Sequence, residues 1–365
     1  MHWIPLILIV AVTLAVSIFM KRNFKLVAVI ALGGLILTSA ITGIDYFIQT
    51  HDTEVWSGSV IDWKHKEEWT EWIPPVTTCS TDSEGRQSCT TIPGYFKHHP
   101  AENHIKTSDS GWIYVSKAPD GKKFTDKWPN DDKVLREYWK EGSPTASVHS
   151  YVNKVNASYS IYRHEDVSIE DYPNLPDYPN KVRDKFHVDR IIGVVPNKEE
   201  AIEALAAQNT RLNEFIPDPE KEGKMRSWKQ VNMIFVNVGK DENMLSGYAL
   251  QDLWRNGSKN DFIVTFSMNE DGKLNWAYPF SWSEVELLKL EVRDYMMDLE
   301  QVEDFVVVVD EVAKLVEDKF ERKEFADFNY LQIEVSSGAN IFIWFVNLML
   351  GGLYFYMVFV SRIDW

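Results

Sequence analysis

The apolar residues of this 365-residue chain are segregated at its two ends, and that segregation limits what the chain can fold into. Residues 4–20 are apolar except for Thr13 and Ser17, and residues 24–48 form a second apolar stretch, broken after Lys25 by nothing larger than a hydroxyl until Asp45. Near the other end, residues 339–360 carry no charge. About 20 apolar residues in a helix cross the roughly 30 Å of hydrocarbon in a bilayer, so each stretch is expected to form a transmembrane helix. The mean hydropathy of -0.27 conceals this, because it averages the ends with a long polar middle.

A basic turn, Lys21, Arg22 and Lys25, separates the first two stretches. Basic loops stay on the cytoplasmic side, so the turn predicts that residues 50–338 face the periplasm or exterior of an inner or plasma membrane. The third stretch then returns the chain inward, leaving residues 361–365 with Arg362 as an anchor. Trp3, Tyr46, Trp344 and Trp365 stand near the ends of the stretches, where amphipathic rings favour the interface. A second reading starts at Met20: a basic start, an apolar middle and Thr38-Ser39-Ala40 resemble a secretory signal with its cleavage site. It would remove an anchor and leave the middle region on the same side.

The net charge of -16 argues against a nucleic-acid surface, which needs clustered Lys and Arg to displace counterions. The two cysteines, Cys79 and Cys89, flank a polar stretch containing the Glu84-Gly85 turn signal within a Thr-rich segment. Paired strands joined by a loop would bring them within disulfide range, as an oxidising compartment permits. Free thiols are the alternative. A zinc site is short of ligands, since two thiols have no matching Cys or His pair downstream.

The middle region changes texture near residue 182. Residues 53–182 are rich in Trp, Tyr, Thr, Pro and Gly, with strand-like runs at 55–61 and 111–115 and a short helix expected over 131–141. The Pro-rich segment 171–180 reads as an extended connector. From Phe186 the pattern alternates. Strands are expected at 188–195, 231–238, 261–268, 273–278 and 331–335. Helices are expected after Asn197 (with Glu200 at N3), over 245–255 (ending before Gly257) and after Ser283 (with Glu286 at N3). The valine-rich run 305–320 reads as helix, because Phe305, Val308, Val309, Val312, Leu315, Val316 and Phe320 follow a 3.6-residue period.

Four pieces of the first half, Val55-Trp56-Ser57-Gly58, the Cys79/Cys89 stretch, His149-Ser150-Tyr151-Val152-Asn153 and Tyr172-Pro173-Asn174-Leu175-Pro176-Asp177-Tyr178-Pro179, resemble an uncharacterised family of phage and bacterial membrane proteins. That family brings no activity, and the pattern associated with it has more cysteines than stand here. In the second half, Tyr248-Ala249-Leu250-Gln251-Asp252-Leu253-Trp254-Arg255-Asn256-Gly257 followed by Asn260-Asp261-Phe262-Ile263-Val264-Thr265-Phe266 is similar to the TPM domain. The resemblance implies an extracytoplasmic α/β module tethered by a C-terminal membrane helix. Such domains include acid phosphatases and factors that assist membrane-protein assembly or receptor function. The Gly-x-Gly turn common after that module's third strand is replaced by Tyr278-Pro279-Phe280, and no catalytic residue transfers.

Chemistry-bearing clusters are sparse. His98, His99 and His104, with Glu102, form the densest histidine group, either a metal site or a polar surface. Adjacent histidines on a strand point to opposite faces, which disfavours shared ligation. Asp261, Asp271, Asp294 and Asp310 stand near expected element ends, where they would either hold a cation, act as acid and base, or simply cap. No nucleophile elbow, Walker loop, dinucleotide fingerprint or His-Glu-x-x-His occurs. Trp56, Trp63, Trp69 and Trp72 lie among charged residues and would serve as a binding surface, as a thin β core, or as contacts with the bilayer.

The expected protein is therefore an α+β membrane protein with three transmembrane helices. Residues 1–49 would form a transmembrane hairpin, 50–182 a β-rich disulfide-closed domain, 183–336 a TPM-like α/β domain with a mixed sheet, and 337–365 the last membrane helix and tail. Its expected role is non-catalytic: an extracytoplasmic module, without a cofactor, binding another membrane or envelope protein, phage–host interplay included. The rival expectation is a weak metal-assisted phosphatase, which requires carboxylates to converge around Asp261 and Asp294. A channel or transporter role is disfavoured, since the apolar stretches hold no ionisable residue between their ends.

Overall fold

A computed structural model describes residues 2–21, 24–81, 85, 87–119, 124, 129–158, 163–179, 189–219, 221–240 and 243–360. Arg22, Glu84, Arg362, Trp365, the expected boundary at 182 and the start of the expected strand at Val188 lie outside them. The protein is mixed α+β with several sheets, and it divides into two compact units. One comprises residues 1–52, 150–163 and 324–365, the other residues 53–149 and 164–323.

The first unit holds the helices α1 (Ile4–Met20), α2 (Phe24–Thr50) and α8 (Ser337–Phe355), the last continued by a π turn over Tyr356–Val360. Two helices, Phe24–Thr50 and Ser337–Val360, are long and apolar enough to cross a membrane. The expectation of three is corrected: α1 has 17 residues and spans about 25 Å at 1.5 Å per residue, short of the hydrocarbon thickness. It packs against both of the others through Leu6 and Ile9, and a Cβ on Gly34 would meet the Leu6 side chain at 2.4 Å.

This three-helix unit is inverted relative to a water-soluble bundle. Thr13, Ser17, Thr38 and Asn347 are buried, whereas Ile7, Phe19, Leu32, Ile36, Phe345 and Met349 are exposed. Three of these groups bond between helices, Asn347 Nδ2 donating to Thr38 Oγ1 at 3.0 Å and the Ser17 and Tyr354 hydroxyls lying 2.5 Å apart, while the Thr13 hydroxyl donates to the Ile9 carbonyl of its own helix. Where the unit leaves α2, Asp52 Oδ2 accepts from the Tyr151 hydroxyl, Asn153 Nδ2 and Asn156 Nδ2 at 3.0, 3.0 and 3.1 Å. The Tyr151-Val152-Asn153 part of the first resemblance thus braces the end of α2, with Asn153 N–H donating to the Thr50 carbonyl at 2.7 Å.

The second unit combines β-rich and α/β parts. The strands β1 (His51–Lys66), β6 (Glu102–Thr107), β7 (Gly111–Tyr114) and β8 (Pro144–Val152) form a sheet in the order β7-β6-β1-β8. Helix α3 (Asp132–Tyr138), capped by the Asp131 carboxylate on Val134 N–H, closes its core of Val60, Trp63, Ile105, Val115, Leu135 and Trp139. The remaining strands of this part are β2 (Trp69–Ile73), β3 (Val76–Thr81), β4 (Gln87–Ile92) and β5 (Tyr95–His99).

The α/β part contains β9 (Ile191–Ile192), α4 (Lys198–Leu212), the small pair β10 (Phe215–Pro217) and β11 (Met225–Ser227), β12 (Asn232–Asn237), α5 (Leu245–Leu253), β13 (Asp261–Met268), β14 (Leu274–Ser281), α6 (Glu286–Met297) and α7 (Phe305–Lys319). Its sheet runs β14-β13-β12-β9; β9, β12 and β13 are parallel and β14 returns antiparallel, giving the expected mixed sheet. Both faces of β12 and β13 are covered, so every residue of these two strands is buried. α4, α6 and α7 cover one face against Met233, Phe235, Phe262, Val264 and Phe266. α5 covers the other against Ile234, Val236 and Ile263, joined by Leu175 and Tyr178 of the Pro-rich connector.

The valine-rich run is helical, its 3.6-residue period prevailing over β propensity once Val308, Val309, Val312 and Val316 are buried on one side. Other local expectations fail. Asn197 precedes α4 in a left-handed conformation (φ 49) and its side chain caps nothing; α6 starts at Glu286, so Ser283 lies before it, accepting from Val285 N–H and donating to the Glu321 carbonyl. Residues 331–335 form no strand, since the chain there runs directly from a 3₁₀ turn (Phe325–Tyr330) toward α8.

Candidate interaction site: a disulfide-closed aromatic ribbon

Strands β1 to β6 contain a single long hairpin. One unshifted register runs from Asp62↔Lys106 through Lys66↔Glu102, Trp69↔His99 and Ile73↔Tyr95 to Val76↔Ile92 and Thr81↔Gln87. The ladder lapses at Pro74-Pro75, opposite Pro93-Gly94, because proline has no N–H to donate. From Trp69 to Thr81 the arm reaches about 40 Å at roughly 3.3 Å per residue. Cys79 and Cys89 face each other in it, with Cα atoms 4.0 Å apart and a disulfide between them.

A two-stranded ribbon has no face it can bury against itself. Here both faces carry large apolar groups in the open: Trp69 is 56% exposed, Trp72 52%, Val76 55%, Ile92 60%, Tyr95 54% and Phe96 71%. Side chains directly opposite share a face, so Trp72 with Phe96 lies on one side, and Trp69 with His99 and Ile73 with Tyr95 on the other. Trp69 stacks on His99 with ring centroids 4.2 Å apart, and His99 Nε2 lies 3.0 Å from Glu71 Oε2. The rings of Trp72 and Phe96 are 4.7 Å apart, and Trp72 lies against Gly94, where a Cβ would approach its ring to 2.6 Å. These pairs hold the aromatics in fixed positions without covering them.

The four tryptophans therefore separate. Trp69 and Trp72 are on the ribbon; Trp63 belongs to the β core and its indole N–H donates to the Trp139 carbonyl; Trp56 is half-buried and stacks on His149 at 3.9 Å. The histidines also separate. His98 pairs across from Thr70 and His99 from Trp69, on opposite faces, while His104 sits on β6 near Tyr114. No group of three or more potential metal ligands occurs among the described residues.

The carboxylates do not converge. Asp261 is fully buried, its Oδ2 accepting from the Tyr178 hydroxyl (2.8 Å) and Ser258 N–H (2.7 Å) and its Oδ1 from Asn232 Nδ2 (2.7 Å). Burial, reinforced by Asp261, pushes the Tyr178 phenol well above its ordinary range, so it stays a donor. Asp294 is exposed on α6 beside Arg293, Asp310 accepts from Gln208, and Asp271 lies in the β13–β14 turn. Asp261 ties the connector to the sheet.

One cluster escaped the sequence reading, because its members lie far apart in the chain. Asp109 is buried and accepts from the Ser147 and Ser110 hydroxyls; Ser147 Oγ lies 2.8 Å from His149 Nε2. Gly58 makes room, since a Cβ there would come within 1.9 Å of the Asp109 carboxylate. Burial lowers the His149 pKa, Asp109 opposes that, and Arg322 and Lys259 add to it. The order carboxylate–serine–imidazole leaves the serine hydroxyl directed at Asp109, and differs from a catalytic triad, in which the imidazole stands between the other two. Nearby on β1, Glu54 is buried against Arg322 (3.0 Å) and Lys259 (3.8 Å), and burial raises its pKa. Comparison with protein-family models, curated proteins and solved structures finds no match.

Proposed function

We propose that this chain is a membrane-tethered extracytoplasmic docking module whose ribbon engages another membrane or envelope protein. The observation that carries the reading is the aromatic arm. Rigid, exposed Trp, Tyr and Phe side chains contribute most to binding when buried and lose little freedom on doing so. The disulfide near the tip restricts the arm further.

Membrane insertion of α2 and α8 is supported by the inverted helical unit, since interhelical hydrogen bonds inside and aliphatic side chains outside are what lipid requires. The outward placement of residues 50–338 is supported by Lys21 and Lys25 at the α1–α2 turn. The order β9-α4-β12-α5-β13-β14-α6-α7 supports the TPM-like reading of the α/β part.

The test is photo-crosslinking from position 97, exposed on the ribbon beside Phe96, of the full chain in its native membrane. A discrete adduct is expected, lost in the triple variant Trp69→Ser/Trp72→Ser/Phe96→Ser. Absence of any adduct, or an adduct indifferent to those substitutions, overturns the proposal.

A further inference from the structure

A second surface of the same unit has different chemistry. A cleft of about 730 Å³ runs along α4, between Ile202, Ala206, Ala207 and Thr210 on one wall and Ser59, Gly142 and Pro144 on the other. The helix wall is a stripe at i, i+4, i+5, i+8 spacing, and its two alanines let another backbone approach closely. Ile202 also touches the core and Ala206, 7% exposed, forms the floor of the cleft, while Ala207 is exposed; α4 places Ala201, Leu205 and Leu212 on the sheet.

The ends of this stripe are acidic. Glu199 and Glu203 stand at the first turns of α4 and Glu214 just past its last, all exposed, with no hydrogen bond or ion pair to their side chains among the described residues. The one cation lining the cleft, Arg211, is already engaged: its Nη2 lies 2.8 Å from Glu317 Oε2 and its guanidinium lies over the Trp228 ring at 5.8 Å. An apolar trough with uncompensated negative charge at both ends selects an apolar partner with positive charge at both ends.

We infer that this cleft docks a basic amphipathic helix of a partner protein, lying along α4. Glu199 and Glu214 are 15 residues apart, about 22 Å along the axis, so the partner helix has about four turns. Its small apolar side chains lie over Ala206 and Ala207, and its Lys or Arg residues face Glu199 and Glu203 at one end and Glu214 at the other. This surface shares no residue with the ribbon, so either can fail without the other.

The test uses the full chain in phosphatidylcholine nanodiscs, with a fluorescent 18-residue Ala/Leu helix bearing two lysines at each end, and the same helix with glutamates as control. Anisotropy is read against empty nanodiscs. Saturable binding of the lysine helix alone is expected. Glu199→Gln/Glu203→Gln/Glu214→Gln should weaken it about tenfold, a loss of ~1.4 kcal/mol, and Ala207→Trp, which fills the trough from an exposed position, should abolish it while leaving the circular dichroism unchanged. Substituting Glu200→Gln, exposed on the same helix but outside the cleft, should leave binding intact. Equal binding of the glutamate helix, or binding unaffected by both the triple variant and Ala207→Trp, overturns the inference.

Discussion

Asp261 and His149 show how a residue's neighbours decide its role. Asp261 begins β13 and meets three donors from three separate segments, all within 2.8 Å. Substitution by Asn turns one accepting oxygen into a donor that faces donors, inside a site with no access to water. Asp261→Asn is expected to cost roughly 3 kcal/mol, read as a lower unfolding midpoint in denaturant. An unchanged midpoint would mean the connector is held by other contacts. His149 concerns pH instead. Its folded pKa is lowered from 6.5, with burial the main cause, so below 6.5 the unfolded chain binds more protons than the folded one. The stability this provides is present above pH 6.5 and is lost as the pH falls. The wild-type chain is expected to lose stability between pH 7 and 5 relative to His149→Gln; parallel pH profiles would rule this out. Neither role was legible in the sequence, where Asp261 was one of four scattered acids and His149 part of a motif with no assigned chemistry.

At the level of elements, the ribbon depends on its disulfide. Closing a loop between residues separated by 10 positions stabilises by roughly 2–3 kcal/mol in the chain-entropy model. Cys79→Ser/Cys89→Ser is expected to raise amide exchange in β3 and β4, with β12 and β13 unaffected. Unaltered exchange at the tip would show that cross-strand pairs suffice. The pairing of the cysteines was legible, because an Xaa-Gly turn between Thr-rich runs marks a hairpin. The same holds for α7, whose apolar spacing outweighed four β-branched valines in succession. The start of α6 was not legible. Ser283 and Glu286 have capping-box spacing, yet Ser283 bridges to Arg322 and so belongs to an extended contact before the helix. A local capping motif holds only where tertiary structure leaves its residues free to use it.

Across the whole molecule, the most direct consequence is compartment. Protease added to intact spheroplasts is expected to cut the chain between residues 51 and 323 while α2 and α8 stay protected; full resistance would reverse the proposed orientation. The end-loaded apolar pattern, the α/β alternation and the cysteine hairpin were determined by the sequence alone, because each depends on periodicity or spacing within a few turns or strands. Which tryptophans stay in the open, the Asp109–Ser147–His149 cluster and the α4 cleft were decided only by tertiary structure. So was the handedness of the α/β part: β9, β12 and β13 step in one direction across the sheet, yet α4 and α5 cover opposite faces, so one of the two crossovers is left-handed against the usual preference. The physical reason is one of range. Local periodicity selects helix or strand and which side is apolar, but whether an apolar side is covered depends on elements far away in the chain, and along the ribbon that cover is missing.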